Sequence, residues 1–451
     1  MPDGFPEATD AQRQEQTPGH DPYAAFRLRD FRLYSLGWLF ATVAYQMQSA
    51  AIGWEVYRWT GSALQLGFTG GIQALPLILL ALPAGQLADV VDRRRIASVC
   101  ALLTAGIAAL MMWLTWSVDS GMLSRDRGLT LLYGLVLAGA VVSTFTRPAR
   151  AALLPQIVPP RVFSNAVTWN TSIFEVSSMA GPALAGWVIA MRSATTVFAM
   201  SAALNVAFMA CLLLMRRRAG TAVRQAAGRA ELLAGIRYVW NTKLILATIT
   251  LDLFAVLLGG ATYLLPVFAH RLGVGAVGFG WLRAAPAMGA LAMAMILAHR
   301  PPLKRAGPTL LAAVAGFGAA TIVFGLSRWF WLSMAALFLT GALDNISVVV
   351  RHTLVQLLTP DRMRGRVSAV NAVFIGASNE LGGLESGLTA AWWGEVASVV
   401  VGGCGTIAVV IAAAIIWPEL LRLRSLGDVA RQAEQNAESP TDGTGGDMPV
   451  R

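Results

Sequence analysis

Apolar residues fall in long unbroken runs, separated by short polar connections rich in arginine. About 17–25 apolar residues are needed to cross a hydrocarbon core as one helix. Twelve runs of this kind are bracketed by polar residues, at 33–53, 64–87, 96–116, 129–145, 167–190, 195–215, 244–268, 278–298, 309–326, 330–350, 367–391 and 396–417. Lipid offers a backbone amide no partner, so each run is expected to be a helix that satisfies its own amides. The pattern predicts an all-α integral membrane protein. Only the central connection, from about 216 to 243, is long. It carries Leu232, Leu233, Ile236, Val239 and Trp240 at helical spacing, which predicts a short helix lying along the membrane interface.

The two sides of that connection repeat. A shift of 201 positions sets Arg150 on Arg351, Pro159 on Pro360, Arg161 on Arg362 and Asn170 on Asn371. The same shift sets Ser177 on Ser378, Gly181 on Gly382 and Gly186 on Gly387, with no gap. The repeat unit is six helices, which predicts twelve transmembrane helices in two parallel six-helix pseudo-repeats. The expected organisation is a disordered tail at 1–25, a first bundle at 26–218, a linker with an interfacial helix at 219–243, a second bundle at 244–420 and a tail at 421–451.

Charge sets the orientation. Connections on one side hold twenty Lys and Arg residues, among them Arg93, Arg94, Arg95, Arg147, Arg150 and Arg351, and those on the other hold six. Basic connections stay in the cytoplasm, so both termini are expected there, in a multi-pass protein of the bacterial inner membrane. Residues 1–21 are polar and acidic and do not read as a signal peptide.

Composition agrees. Of 451 residues, 56% are hydrophobic and 13% charged, about half the charged share of a soluble domain. The net charge of +10 sits in loop clusters without interleaved aromatics, so it reads as membrane orientation and not as nucleic-acid binding. Cys100, Cys211 and Cys404 lie singly in apolar runs and read as small hydrophobes. No metal-ligand spacing, phosphate loop or nucleophile elbow occurs in the sequence, so no metal, cofactor or hydrolytic activity is expected.

Charges inside the runs cost about 2.5–3.5 kcal/mol each at mid-membrane, so each is a functional candidate. They are Glu175 in the fifth run, Asp252 in the seventh, Arg283 in the eighth, Asp344 in the tenth, and Glu380 and Glu385 in the eleventh. The third, sixth, ninth and twelfth runs have none, as expected if those helices face lipid and the rest surround a cavity. Asp252 and Arg283 lie at comparable depth and are candidates to pair. Asp344 stands beside Asn345 with no near cation inside its run and is the better candidate proton site. Asn371, Ser378, Gly382 and Glu385 share one face, matched by Asn170, Ser177 and Gly181, so Glu385 is favoured over Glu380 as a cavity residue.

Three strings carry a family resemblance. Between the second and third runs stands Gly85-Gln-Leu-Ala-Asp89-Val-Val-Asp92-Arg93-Arg94-Arg95. It resembles the signature loop of the major facilitator superfamily, with Asp92 in place of the usual glycine. The resemblance implies a cytoplasmic gate latch of Gly85, Asp89, Arg93 and Arg94, with Asp89 meeting a helix end or an arginine of the opposite half. In the fifth run, Ser177-Ser-Met-Ala-Gly181-Pro182-Ala-Leu-Ala-Gly186 resembles the antiporter motif of drug:proton exporters, with Ser177 and Ala185 replacing glycines. The strings 265–269, 280–290, 354–371 and 376–382 resemble the enterobactin exporter subgroup.

Together these imply a monomeric, proton-coupled secondary transporter that exports a small amphiphilic, siderophore-like molecule by alternating access. The intramembrane arginine of drug antiporters has no counterpart inside the fourth run, since Arg147 stands at its cytoplasmic end. A broad drug efflux pump or a lysophospholipid transporter is the alternative. A membrane-embedded enzyme or sensor is the alternative of a different class, and four scattered histidines argue against it.

Overall fold

The computed structural model describes residues 21–216, 229–300 and 304–423. Residues 1–20 and 424–451, within the tails expected at 1–25 and 421–451, and Arg217, Arg218 and Arg224 lie outside the described residues. So do the side chains of Leu232 and Leu233. Every regular element among the described residues is helical. The first half consists of α1 (Arg29–Thr60), α2 (Ala63–Val90), α3 (Arg93–Asp119), α4 (Arg125–Ile157), α5 (Pro160–Met191) and α6 (Ala194–Leu214). The second consists of α7 (Lys243–Arg271), α8 (Gly275–Ala298), α9 (Ala306–Leu326), α10 (Phe330–Leu358), α11 (Asp361–Trp393) and α12 (Glu395–Ile416). Ten of these are long and apolar enough to cross a membrane. The other two, α1 and α11, are 32 and 33 residues long and carry more polar residues, among them Gln46 and Gln48 on α1 and Asn371, Asn379, Glu380 and Glu385 on α11.

Short connections are closed by local chemistry. Gly61, at φ 62°, ends α1 in the left-handed region. Ser62 accepts from the Gln65 amide to start α2, Asp92 from the Arg94 amide to start α3, and Ser193 from the Thr196 amide to start α6. The seventh span is broken: it runs as α-helix to Gly259, as a 3-10 turn over Ala261–Leu264, and again as α-helix from Leu265.

Several boundaries differ from the sequence expectation. α4 continues through Pro148 and Pro155 to Ile157, and α10 continues past Val350 to Leu358. Arg147, Arg150 and Arg351 are therefore helix residues and not loop residues. A proline removes one amide donor and does not end a helix whose neighbours compensate. Without these three the bias is still seventeen to six. At the start, Asn165 and Trp169 of α5 donate to the Pro22 carbonyl and the Ala25 amide donates to Asn165. Residues 21–25, expected in the tail, thus pack against α5. The linker helix Arg229–Asn241 docks on the second half: Val239 is buried with Ile245, Val355 and Val367, and the Tyr238 hydroxyl donates to the Leu358 carbonyl at 2.5 Å.

Within the halves, α1 packs on α5 and α6, and α3 on α4 and α6; correspondingly α7 packs on α11 and α12, and α9 on α10 and α12. The halves meet through two main helix pairs, α2 with α11 and α5 with α8. α3, α6, α9 and α12 stay peripheral and expose Leu102, Trp113, Leu213, Val323, Ile411 and Ile415, the surface that lipid would cover.

The two faces of the bundle differ. On the face carrying the α1–α2 and α7–α8 connections, one apolar cluster runs through both halves, from Met47, Trp59 and Leu66 to Leu264, Phe268 and Phe279. On the opposite face each half has its own cluster: Phe31, Tyr34, Leu153 and Leu212 in the first, and Leu251, Leu310, Val350 and Leu354 in the second.

Candidate functional site

Glycines make the seam on the continuous face. Gly67 and Gly70 of α2 lie against the backbone of α11 at Gly383, Gly387 and the Glu380 carbonyl. Gly186 of α5 lies against Ala276 and Gly280 of α8, and Gly280 against the Pro182 carbonyl. Gly186 and Gly387 are repeat-related and do the same work on the two seams. Gly181 faces Gln46 of α1, so the Gly181–Pro182–Gly186 string joins α5 to both α1 and α8. Thr42 donates to Ser177 and Gln46 to Ser178, both at 2.7 Å. Trp54 lies tilted against Phe279 and Tyr57 edge-on to His270, with centroids 5.5 and 5.9 Å apart, adding an aromatic layer across the halves.

Below this seam polar groups from both halves converge. Glu380 of α11 accepts a hydrogen bond from the Tyr263 hydroxyl at the break in α7. Gln73 of α2 donates to the same hydroxyl at 3.5 Å. Arg283 of α8 donates to Ser49 of α1 at 2.8 Å, across the halves. Arg147 of α4 reaches α11 beside Gly376 and lies within electrostatic reach of Glu380 and Tyr45. Tyr45 is 45% exposed, and the Arg147 side chain is also exposed. One turn along α4, the Arg150 guanidinium lies over the Trp38 ring at 3.4 Å.

A second group lies within the second half of the bundle. Arg351 of α10 forms an ion pair with Asp252 of α7, and both are buried. Asp252 and Asp344 line one small cavity with Val314, Phe317 and Ser347. Asp344 has no hydrogen bond or ion pair among the described residues. Glu175 of α5, from the other half, acts on it electrostatically.

Placement corrects several expectations. Asp252 pairs with Arg351 and not with Arg283: equal depth does not decide which helices touch, and α7 is adjacent to α10. Glu380 takes the central position instead of Glu385, which sits beside Ser386 near the α7 break. The face of Asn371, Ser378 and Gly382 is buried, with Gly382 against Val256 and Leu257 of α7; small residues suit a helix contact better than a cavity wall. The side-chain oxygens of the repeat-related pair Asn170 and Asn371 are both buried without a hydrogen-bond partner among the described residues.

The signature loop stays within its own half. Arg93 donates to the Ala88 and Ala152 carbonyls and Arg94 to the Leu213 carbonyl. Asp89 has no such partner among the described residues, and the space beside Gly85 is open. Tyr45, Ser49, Gln73 and Tyr263 were not among the residues singled out from sequence, and Arg147 was placed at a cytoplasmic helix end and not at a site. An arginine at 147 followed by Pro148 looks like a helix end, and tyrosines in apolar runs carry no signal of their own.

Two six-helix halves meeting at two glycine seams, with ionisable groups gathered between them, define a transporter of the major facilitator type. The chain belongs to the transmembrane secretion effector family, whose family model matches residues 20–441. It is 26% identical over 348 residues to the multidrug efflux pump Tap of Mycolicibacterium fortuitum, which covers 75% of this chain and 83% of that one. It is 25% identical over 408 residues to the enterobactin exporter EntS of Escherichia coli, which covers 89% and 92%.

A bacterial homologue of the iron transporter ferroportin, solved in an inward-facing state, shares the fold with a TM-score of 0.69 at 14% identity, over 87% of this chain and 98% of that one. A bacterial homologue of the lysosomal transporter Spinster, inward-facing and unoccupied, does so with a TM-score of 0.62 at 14% identity, over 92% and 99%. These relatives are transporters and not enzymes, and the protein is a multi-pass membrane transporter of the exporter type.

Proposed function

We propose that the protein exports a small amphiphilic, siderophore-like molecule from the cytoplasm by alternating access, in exchange for protons. The observation that carries the reading is the asymmetry of the bundle: a glycine and aromatic seam joins the halves on one face, while each half keeps its own core on the other. With the basic connections in the cytoplasm, both termini are cytoplasmic and the open face is the one that loads substrate. The bundles at 26–218 and 244–420 rock about the central site as a monomer in the inner membrane. The loop of Asp89, Arg93 and Arg94 would latch the open face when it closes. The similarity to an enterobactin exporter over most of both chains favours a siderophore-like cargo. The similarity to a multidrug pump supports a second reading, a site of broad specificity.

For coupling, Glu175 and Asp344 come from opposite halves, and Glu175 acts electrostatically on Asp344. Two carboxylates brought together in a space that excludes water cannot both stay ionised. Closing the open face would press them together, and a proton on one relieves the repulsion. Asp344→Asn is therefore expected to remove the response of transport to an imposed proton gradient while keeping substrate binding, since the amide keeps the shape and loses the proton. Uptake of a siderophore into inside-out vesicles, with and without the gradient, measures this. An unchanged response in the variant would take Asp344 out of the proton path.

A further inference from the structure

The central group is unevenly charged. Arg147 and Arg283, one from each half, stand against a single carboxylate, Glu380. Arg150 adds a third cation one turn along α4, and its face is taken by Trp38. The groups that act on Arg283 are Tyr263, Tyr45 and Glu380; Asp252, Asp344 and Glu175 are not among them. Asp252 is occupied by Arg351, Asp344 lines a small cavity with it, and Glu175, next to Phe174 on α5, still leaves three arginines facing two carboxylates. Glu385 is one turn and a half further along α11, beside Ser386. The lobe thus carries an excess of positive charge that its own residues do not neutralise.

Its surroundings are mixed. Tyr45 and Tyr263 hydroxyls, Ser49 and Gln73 supply polar atoms within the lobe. Trp38 and Phe174 lie nearly parallel with centroids 6.5 Å apart, and Phe174 is 44% exposed. An arginine fork binds a carboxylate or similar oxyanion through two parallel N–H bonds, more strongly than it binds any neutral group. Glu380 acts on both arginines electrostatically, while its hydrogen bond comes from Tyr263.

We infer that this lobe is an anion subsite: the exported molecule is an amphiphile bearing an acidic oxygen group, which docks between Arg147 of the first half and Arg283 of the second and displaces Glu380 as their counter-ion. The inference rests on the exporter reading and narrows it, since a cation-selective pump would present the opposite charge. Because the two arginines belong to different halves, one acidic group bound to both also ties the halves together at the centre of the bundle.

Three probes with one scaffold test it: 2-naphthoate, 2-naphthamide and 2-naphthylmethylamine, measured by equilibrium dialysis against purified full-length protein in lipid nanodiscs. The carboxylate is expected to bind about tenfold or more tighter than the amide or the amine, the range of a charged hydrogen bond. Arg147→Gln and Arg283→Gln are each expected to remove most of that preference, and Glu380→Gln to strengthen carboxylate binding. High salt should weaken the preference in the unaltered protein, which keeps the test open if a glutamine variant does not fold. Equal or tighter binding of the amine, no binding of any probe, or a carboxylate preference that survives both arginine substitutions would overturn the inference. The exporter reading is checked separately by siderophore uptake into inside-out vesicles: uptake together with an amine preference would reject the anion subsite alone, and absence of uptake would reject the exporter reading.

Discussion

Arg351→Leu is expected to destabilise the protein by about 3–5 kcal/mol, the cost of leaving one member of a buried ion pair alone. Arg351 and Asp252 are both buried, and the pair joins α7 to α10 inside the second half. Removing the arginine strands the carboxylate beside Ala255, Val314 and Phe317, in one cavity with a second carboxylate, Asp344. A well-packed apolar pair tolerates the same place at little cost, so Asp252→Leu with Arg351→Leu should recover most of the loss. Thermal unfolding of the purified single and double variants measures both. A single variant as stable as the unaltered protein would show that Asp252 finds another partner or a proton.

The second large effect is expected at the seam. A Cβ on Gly186 would meet the Ala276 carbonyl and the Gly280 backbone, neither of which can move aside as a side chain can. Overpacking of this kind costs about 1–3 kcal/mol, borne here by the closed arrangement of the seam. Gly186→Leu is therefore expected to open it by roughly ten- to a hundredfold. The reporter is a cysteine at Gln46, under the seam, reacting with a membrane-impermeant thiol reagent added from the sealed side. Gly106→Leu is the control, since Gly106 lies on peripheral α3 with open space where its Cβ would be. Equal reactivity in both variants would mean that the glycine contact does not hold the face shut.

Much of this architecture was legible because lipid imposes it. A run of apolar residues must be helical, and the helices whose apolar runs hold no charge, α3, α6, α9 and α12, are peripheral, as their composition predicts. The repeat also carried information about contacts: Gly186 and Gly387 occupy equivalent places on the two seams. What sequence did not carry is which faces meet. Asp252 and Arg283 share a depth, yet one turns to α10 and the other crosses to α1. Spacing on α11 separates the face of Asn371, Ser378 and Gly382 from that of Glu380, but does not say which is buried against α7. Arg147 was hidden by its neighbour Pro148, which reads as a stop in water and is accommodated in α4. Tyr263 gains its place from the break in α7, and nothing in its apolar context marks that break except Gly259 and Gly260.

The central claim is that one cavity opens to either side in turn, with the seam now closed and the opposite face now open. Two spin-label pairs test it in a background without Cys100, Cys211 and Cys404. One pair, Val90 with Ser368, spans the open face between α2 and α11; the other, Gly61 with Gly394, spans the sealed face. Pulsed electron–electron distances would be recorded in lipid nanodiscs across a pH series. The account expects two populations whose distances change in opposite directions, Val90–Ser368 shortening as Gly61–Gly394 lengthens, with proportions that depend on pH. A single distance for both pairs at every pH, or both pairs lengthening together, would contradict it.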